Sequence, residues 1–301
     1  MKRKLIKQAN QAFTITLPID WVRKNKLSEQ SEVDVAVGEK SLTISTEGTI
    51  TGGSVSIRVD GLGKKNLYLH IGAAYAKGFD EVKIVSEKEI SPELSRILSG
   101  TIGFALVSQR KETYIIKDVS GGNYTDLDEI FKRVFQMILL FYEAAISDIF
   151  GKREATIEDL HARDFEVNKF CLFLERAINC RSYSDTINGR VLFTYSFALE
   201  KISDEIERLW RTSIKYDIKQ SPAIKELMIA SKESVQKAFE LYYHTQGKKV
   251  EEVYAIRDKI REDSLLSLSQ TDAHTARFVR HVIKIAEDAA DLTHLSLMRR
   301  L

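Results

Sequence analysis

The chain has 301 residues, 44% hydrophobic and 29% charged, with a formal net charge of +2. That length supplies two or three cores at roughly 100–200 residues per domain, and three prolines leave room for long uninterrupted helices. The composition argues against secreted and membrane classes. Lys2, Arg3 and Lys4 are followed by Lys7, Gln8, Asn10 and Gln11 where a signal peptide would be apolar. The most apolar run, Val134 to Phe150, is broken by Gln136, Glu143 and Asp148 and is shorter than the ~20 residues of a spanning helix. Cys171 and Cys180 lack metal-like spacing and suit a reducing compartment, so a cytoplasmic protein is expected.

The first 50 residues alternate with a short, β-like period. Leu5, Phe13, Ile15 and Leu17 predict an opening strand; Val33, Val35 and Val37, then Leu42 and Ile44, predict two more. Between them Ile19, Trp21, Val22 and Leu27 read as a short helix opened by Pro18, and Gly38-Glu39-Lys40 as a hairpin turn. Lys2, Arg3, Lys4, Lys7, Arg23, Lys24 and Lys26 face the single acid Asp20, an excess of +6 over residues 1–26 that leaves −4 for the rest. A basic head on a mildly acidic body points to a polyanion at one end only, or to a merely solvated terminus. Arg3, Lys4 and Lys7 fall on the opening strand, Arg23 and Lys24 on the short helix. These five are the candidate DNA-binding residues. So small a unit needs a partner to bury a core, and dimerisation would supply it.

Gly52-Gly53 and Gly61-Leu62-Gly63 punctuate the next stretch. Val55–Val59, Val82–Val85, Phe104–Val107 and Tyr114–Ile116 read as strands, Lys64–Lys77 and Pro92–Leu98 as helices, together a small α/β layer. Gly61-Leu62-Gly63-Lys64-Lys65 lacks the spacing and hydroxyl residue of a phosphate loop.

From Asp126 onward the period is near 3.6. Breaks at Gly151, Asn179–Tyr183, Ser221-Pro222, Gly247 and Ser269–Thr271 divide the region into six long helices suited to antiparallel bundles. Phe197–Glu205 aligns with Arg280–Asp288, which suggests three helices duplicated.

On the third of these helices Leu199, Ile202, Ile206 and Trp210 form the core face, with Glu200, Asp204 and Glu207 on its flank. The second carries Leu160, Val167, Cys171, Leu174 and Ile178 on its stripe, with Asp164 and Asn168 at its margin and His161 and Glu175 nearby. Two facing helices, each with an oxygen pair at i, i+4, could give a hard cation several ligands. Alternatively this is a charged face neutralised by Arg163, Lys201 or Arg208. In the last helix Ile283 stands where Glu200 does, leaving Glu287, Asp288 and Asp291, with Asp258 and Glu262 as their partners. The six histidines form no catalytic arrangement and no nucleophile or zinc-hydrolase motif occurs, so no enzyme is expected.

Arg3-Lys-Leu-Ile-Lys-Gln, Phe13-Thr-Ile-Thr-Leu-Pro-Ile-Asp-Trp-Val-Arg-Lys-Asn, Val33-Asp-Val and Leu42-Thr-Ile-Ser resemble the AbrB/SpoVT swapped-hairpin DNA-binding domain. The helical body, with Glu200-Lys-Ile-Ser-Asp204 and Asp164-Phe-Glu-Val-Asn168, resembles PhoU, the phosphate-uptake regulator family. Together they look like archaeal-type PhoU proteins with an AbrB-like head. The resemblance implies an α+β chain: a swapped-hairpin β domain (1–48), a small α/β connector (49–122) and a PhoU-like pair of three-helix bundles (123–220 and 221–301). It further implies a cytoplasmic homodimer that binds DNA and controls transcription in response to phosphate. The implied cofactor is a divalent or ferric metal ion (iron, zinc, magnesium or manganese) at Asp164, Asn168, Glu200 and Asp204. The competing expectations are an adaptor that docks on a phosphate ABC transporter or a signalling kinase without binding DNA, and a metal-storage or metal-sensing bundle.

Overall fold

Alternation of apolar and polar residues near the N-terminus produces two short strands. In the computed structural model β1 (Ile6–Gln8) pairs antiparallel with β2 (Ala12–Thr14), Gln8 opposite Ala12. The expected single opening strand is therefore two paired strands, the apolar alternation being broken in sequence by the polar residues between Gln8 and Ala12. Arg3 and Lys4 precede β1, and only Lys7 lies on it. The residues described are 2–8, 12–37, 42–45, 53–61, 63–121, 127–180, 186–216, 218, 221–244, 247–268 and 272–301. The turn expected at Gly38-Glu39-Lys40, Gly52, the boundaries expected at 48/49 and 122/123, and much of the breaks expected at Asn179–Tyr183 and Ser269–Thr271 lie outside them.

Helix α1 (Ile19–Lys24) starts at Pro18, whose φ of −62° suits a helix entry, and has Arg23 and Lys24 in its last turn. Strands β3 (Asp34–Val37) and β4 (Leu42–Ser45) form a second antiparallel pair, Asp34 opposite Ser45.

The α/β unit is built as the periodicity requires. Strand β5 (Ser54–Arg58) runs parallel to β6 (Glu81–Val85), and α2 (Lys64–Lys77) makes the crossover between them. After α3 (Ser91–Ser99), strands β7 (Phe104–Arg110) and β8 (Thr113–Asp118) close the sheet in the order β5-β6-β8-β7. Lys111 supplies the positive φ of 49° that the tight β7–β8 connection needs. Val82, Ile84, Tyr114 and Ile116 of the sheet bury against Leu67, Ile71 and Tyr75 of α2 and Leu94 and Ile97 of α3. Helix α2 ends in a Schellman turn: Gly78 at φ 98°, its N–H on Tyr75 O, and Phe79 N–H on Ala74 O.

Six helices follow: α4 (Leu127–Ile149), α5 (Ile157–Cys180), α6 (Thr186–Lys215), α7 (Pro222–Tyr243), α8 (Gly247–Leu268) and α9 (Ala273–Arg300). Ser221 caps α7, its Oγ accepting from Ile224 N–H with Pro222 behind it, and Asp272 caps α9. Helices α4, α5 and α6 pack on one another, as do α7, α8 and α9, and the triplets meet along α6–α9 and α4–α7. One apolar core runs through both. At its centre Phe131 and Phe135 of α4, Tyr195 of α6, and Phe239 and Tyr242 of α7 make edge and tilted ring contacts, with centroids 5.0–6.1 Å apart. Among the described residues no helix is long and apolar enough to cross a membrane.

Candidate functional site

The head presents its basic residues and its apolar residues together. Arg3, Lys4, Lys7, Arg23 and Lys24 are all exposed. Beside them Leu5, Phe13 and Leu42 keep 68%, 60% and 63% of their surface in solvent, and Ile6, Ile15, Ile19 and Val35 are exposed too. Helix α1 has no buried residue. A two-stranded hairpin is marginal in water by itself. Each of these large side chains would gain about 1.5–3 kcal/mol from full burial.

On the body, α5 and α6 bring Asp164, Asn168, Glu200 and Asp204 to one flank. Asn168 Nδ2 donates to Asp164 Oδ2 at 2.9 Å along α5, and Ser203 Oγ crosses from α6 to Asp164 Oδ1 at 2.8 Å. Lys201 Nζ lies 3.4 Å from Glu200 and 3.2 Å from Asp204, and Arg208 Nη2 lies 3.0 Å from Asp204. Glu207, expected on the open flank, is buried; Arg211 pairs with it, and His161 Nδ1 stands 3.4 Å away. The cause of that difference is the partner helix, since packing against α5 covers a position that the α6 sequence leaves polar.

The electrostatics follow from partial burial of like charges. Burial pushes the Asp164 carboxyl up to about 6; the Ser203 hydrogen bond opposes this, and Asp204, Glu207 and Glu200 add to it. Glu175, partly buried and in the field of Glu200, is raised to about 7. Burial also raises Glu200, with Lys201 pulling it back. Tyr68 of α2 lies within the field of Glu200, Asp164 and Asp204, and burial with those charges raises its hydroxyl.

Asn168 Oδ1 is a buried acceptor with no hydrogen-bond partner, which a cation would satisfy. The rest of the set does not fit a metal as it stands. Among the described residues no three His, Cys, Asp or Glu side chains gather closely enough to hold one. Asp204 is held by two cationic side chains and Asp164 by Ser203 and Asn168. Lys201 and Arg208, two of the three cations that the sequence offered as neutralising partners, pair with this flank. The second triplet is similar: Lys284 pairs with Asp288, and Arg261 with Glu287 at 2.5 Å and with Asp258 at 3.9 Å.

The sequence reading missed Arg176. It is fully buried on α5, its Nη1 donating to Tyr75 O and Phe79 O at 2.9 Å each. Nη2 reaches Asp118 at 2.7 Å and Asp80 at 3.3 Å, and the guanidinium lies about 5 Å from the Tyr75 and Phe104 rings. Asn179 Nδ2 adds a 2.7 Å bond to Ala76 O. The C-terminus of α2 thus receives a cation from α5 where its carbonyls carry partial negative charge. The available signal was the pair Glu175-Arg176 between Leu174 and Ala177-Ile178, two charges inside an otherwise apolar stretch. A second cross-element pair was also missed: His281 Nδ1 of α9 lies 2.6 Å from Glu205 Oε2 of α6, both largely buried.

No protein-family model matches the chain, and comparisons with curated proteins and with solved structures found no significant match.

Proposed function

We propose that this chain is a homodimeric DNA-binding regulator of transcription, with the helical body receiving the signal. The observation that carries the reading is the head: seven exposed large apolar side chains beside five exposed basic ones. Pairing the hairpins of two chains would cover the apolar residues and double the basic surface. The residues that resemble the AbrB/SpoVT domain are these same ones, and the resemblance of the body to PhoU makes phosphate status the signal we propose.

The test combines sedimentation with DNA binding across a salt series. Wild type is expected to be a dimer whose affinity for duplex DNA falls by about 0.9 log units per log unit of salt for each phosphate contacted. Arg23→Ala with Lys24→Ala removes two contacts per head and should flatten that slope without changing the dimer. Phe13→Glu should break both the dimer and DNA binding while the helical signal in circular dichroism persists. A monomeric wild type, or a dimer with no DNA affinity at low salt, overturns the proposal.

A second reading, an adaptor for a transporter or kinase, is favoured by a groove of about 980 Å³ between α4 and α5. Met137, Leu140, Phe141, Val167 and Trp210 line it, and Leu140 is 62% exposed. A dimer that ignores DNA but loses partner capture on Leu140→Glu would favour this reading.

A further inference from the structure

A separate cavity of about 230 Å³ lies where the α/β unit meets the helical body. Tyr68 of α2, Pro92 and Ile97 of α3 and Phe165 of α5 form its apolar wall; Lys64, Glu93 and Arg96 are its charged residues. Phe165 approaches so closely because α3 ends at Gly100: a Cβ there would stand 3.1 Å from the Phe165 ring. At about 30 Å³ per molecule the space holds roughly eight waters, the size of a small metabolite.

Its charges do not cancel. Lys64 Nζ pairs with Glu93 Oε1 at 2.8 Å. Arg96, one turn further along α3, is exposed and forms no ion pair among the described residues. The lining residues alone thus carry one net positive charge, while Glu200, Asp164 and Asp204 act on Tyr68 from the side of the helical body. Lys64 and Arg96 are both exposed, Lys64 with 82% of its side chain in solvent, and both act on Glu93.

We propose that this cavity binds a small organic carboxylate. The carboxylate takes the Arg96 guanidinium, whose paired N–H groups match its two oxygens, and the apolar body lies between Phe165, Ile97 and Tyr68. A dianion would leave one charge unmatched, and a neutral molecule would leave Arg96 unused. The site is independent of DNA binding by the head, so either proposal can fail alone.

The test uses the full-length protein with benzoate and isovalerate as probes and benzamide as the uncharged control, read by calorimetry and by ligand-observed NMR. Saturable benzoate binding is expected with a Kd on the order of 0.1–1 mM, with benzamide at least tenfold weaker. Arg96→Gln, an exposed change that leaves the helices intact, should weaken benzoate about tenfold or more; Arg96→Lys should restore part of that loss. Ile97→Ala, which enlarges the cavity, should weaken isovalerate by several-fold. No saturable binding of either carboxylate, equal binding of benzamide, or benzoate affinity unchanged in Arg96→Gln overturns the proposal.

Discussion

Glu175 and Asp164 show how a single side chain takes its properties from what surrounds it. Each is an ordinary carboxylate in the unfolded chain, with a pKa near 4. Folding removes both from water beside other acids, and the carboxyls rise to about 7 and about 6. Between those limits and 4 the folded state holds more protons than the unfolded one, so stability falls as pH rises from about 4 to 7. Glu175→Gln keeps the shape and removes the charge. It should raise stability at pH 8 by on the order of 1 kcal/mol, after allowance for the solvent that reaches this site, and leave pH 4 almost unchanged. Urea denaturation at the two pH values checks this; equal effects at both would contradict it. Glu205 has the opposite sign. Its burial alone would raise it, but hydrogen bonds from His281 and Arg208 outweigh that and hold it at about 2. Its contribution is present above the unfolded value of about 4.3 and is lost as pH falls toward 2.

Helix α5 works on two sides at once. One margin holds Asp164 and Asn168 toward α6, and another sends Phe165, Leu172, Arg176 and Asn179 into the α/β unit. The sequence made the first legible, because an i, i+4 pair of oxygens beside an apolar stripe is a local pattern. The second was illegible, because the acceptors of Arg176 lie about a hundred residues earlier, at Tyr75 in α2 and at Phe79 and Asp80 just after it, and 58 residues earlier at Asp118. Burial raises the Asp118 carboxyl, and the Ser120 and Arg176 hydrogen bonds more than reverse this. Arg176→Met would therefore leave Asp118 and two backbone carbonyls without their cation. We expect a loss of about 3–5 kcal/mol and faster amide exchange in α2 and β8, with part of the loss recovered on adding Asp118→Asn. A two-state denaturation series with hydrogen exchange checks both effects. An unchanged α2 in the single variant would show that the seam does not depend on the guanidinium.

For the molecule as a whole, the continuity of the core decides how it melts. Two helical triplets that each closed a core of their own could unfold separately. Here Phe131, Phe135, Tyr195 and Tyr242 join them in one aromatic cluster, Tyr195 Oη lies 3.1 Å from Ser296 Oγ across the α6–α9 contact, and His281 meets Glu205 there. Calorimetry should give one transition for all six helices, with the head melting apart from it; Tyr195→Ala should lower that single transition without splitting it. Two helical transitions in wild type would show the triplets to be independent.

By itself the sequence determined the order of the elements after the opening pair of strands, from α1 through the α/β layer to the six helices, and the concentration of positive charge at one end. Both are properties of neighbours along the chain: a period of 2 or 3.6, a cap residue, a proline, a run of lysines. The tertiary structure alone decided which charges meet. It set Lys201 and Arg208 on Asp204, Ser203 on Asp164, Arg176 on the end of α2, and Arg96 beside an apolar cavity. Such pairings follow distance in space, which sequence separation does not encode once helices fold back on one another. A polar residue acquires its protonation and its partner only from the surface that covers it.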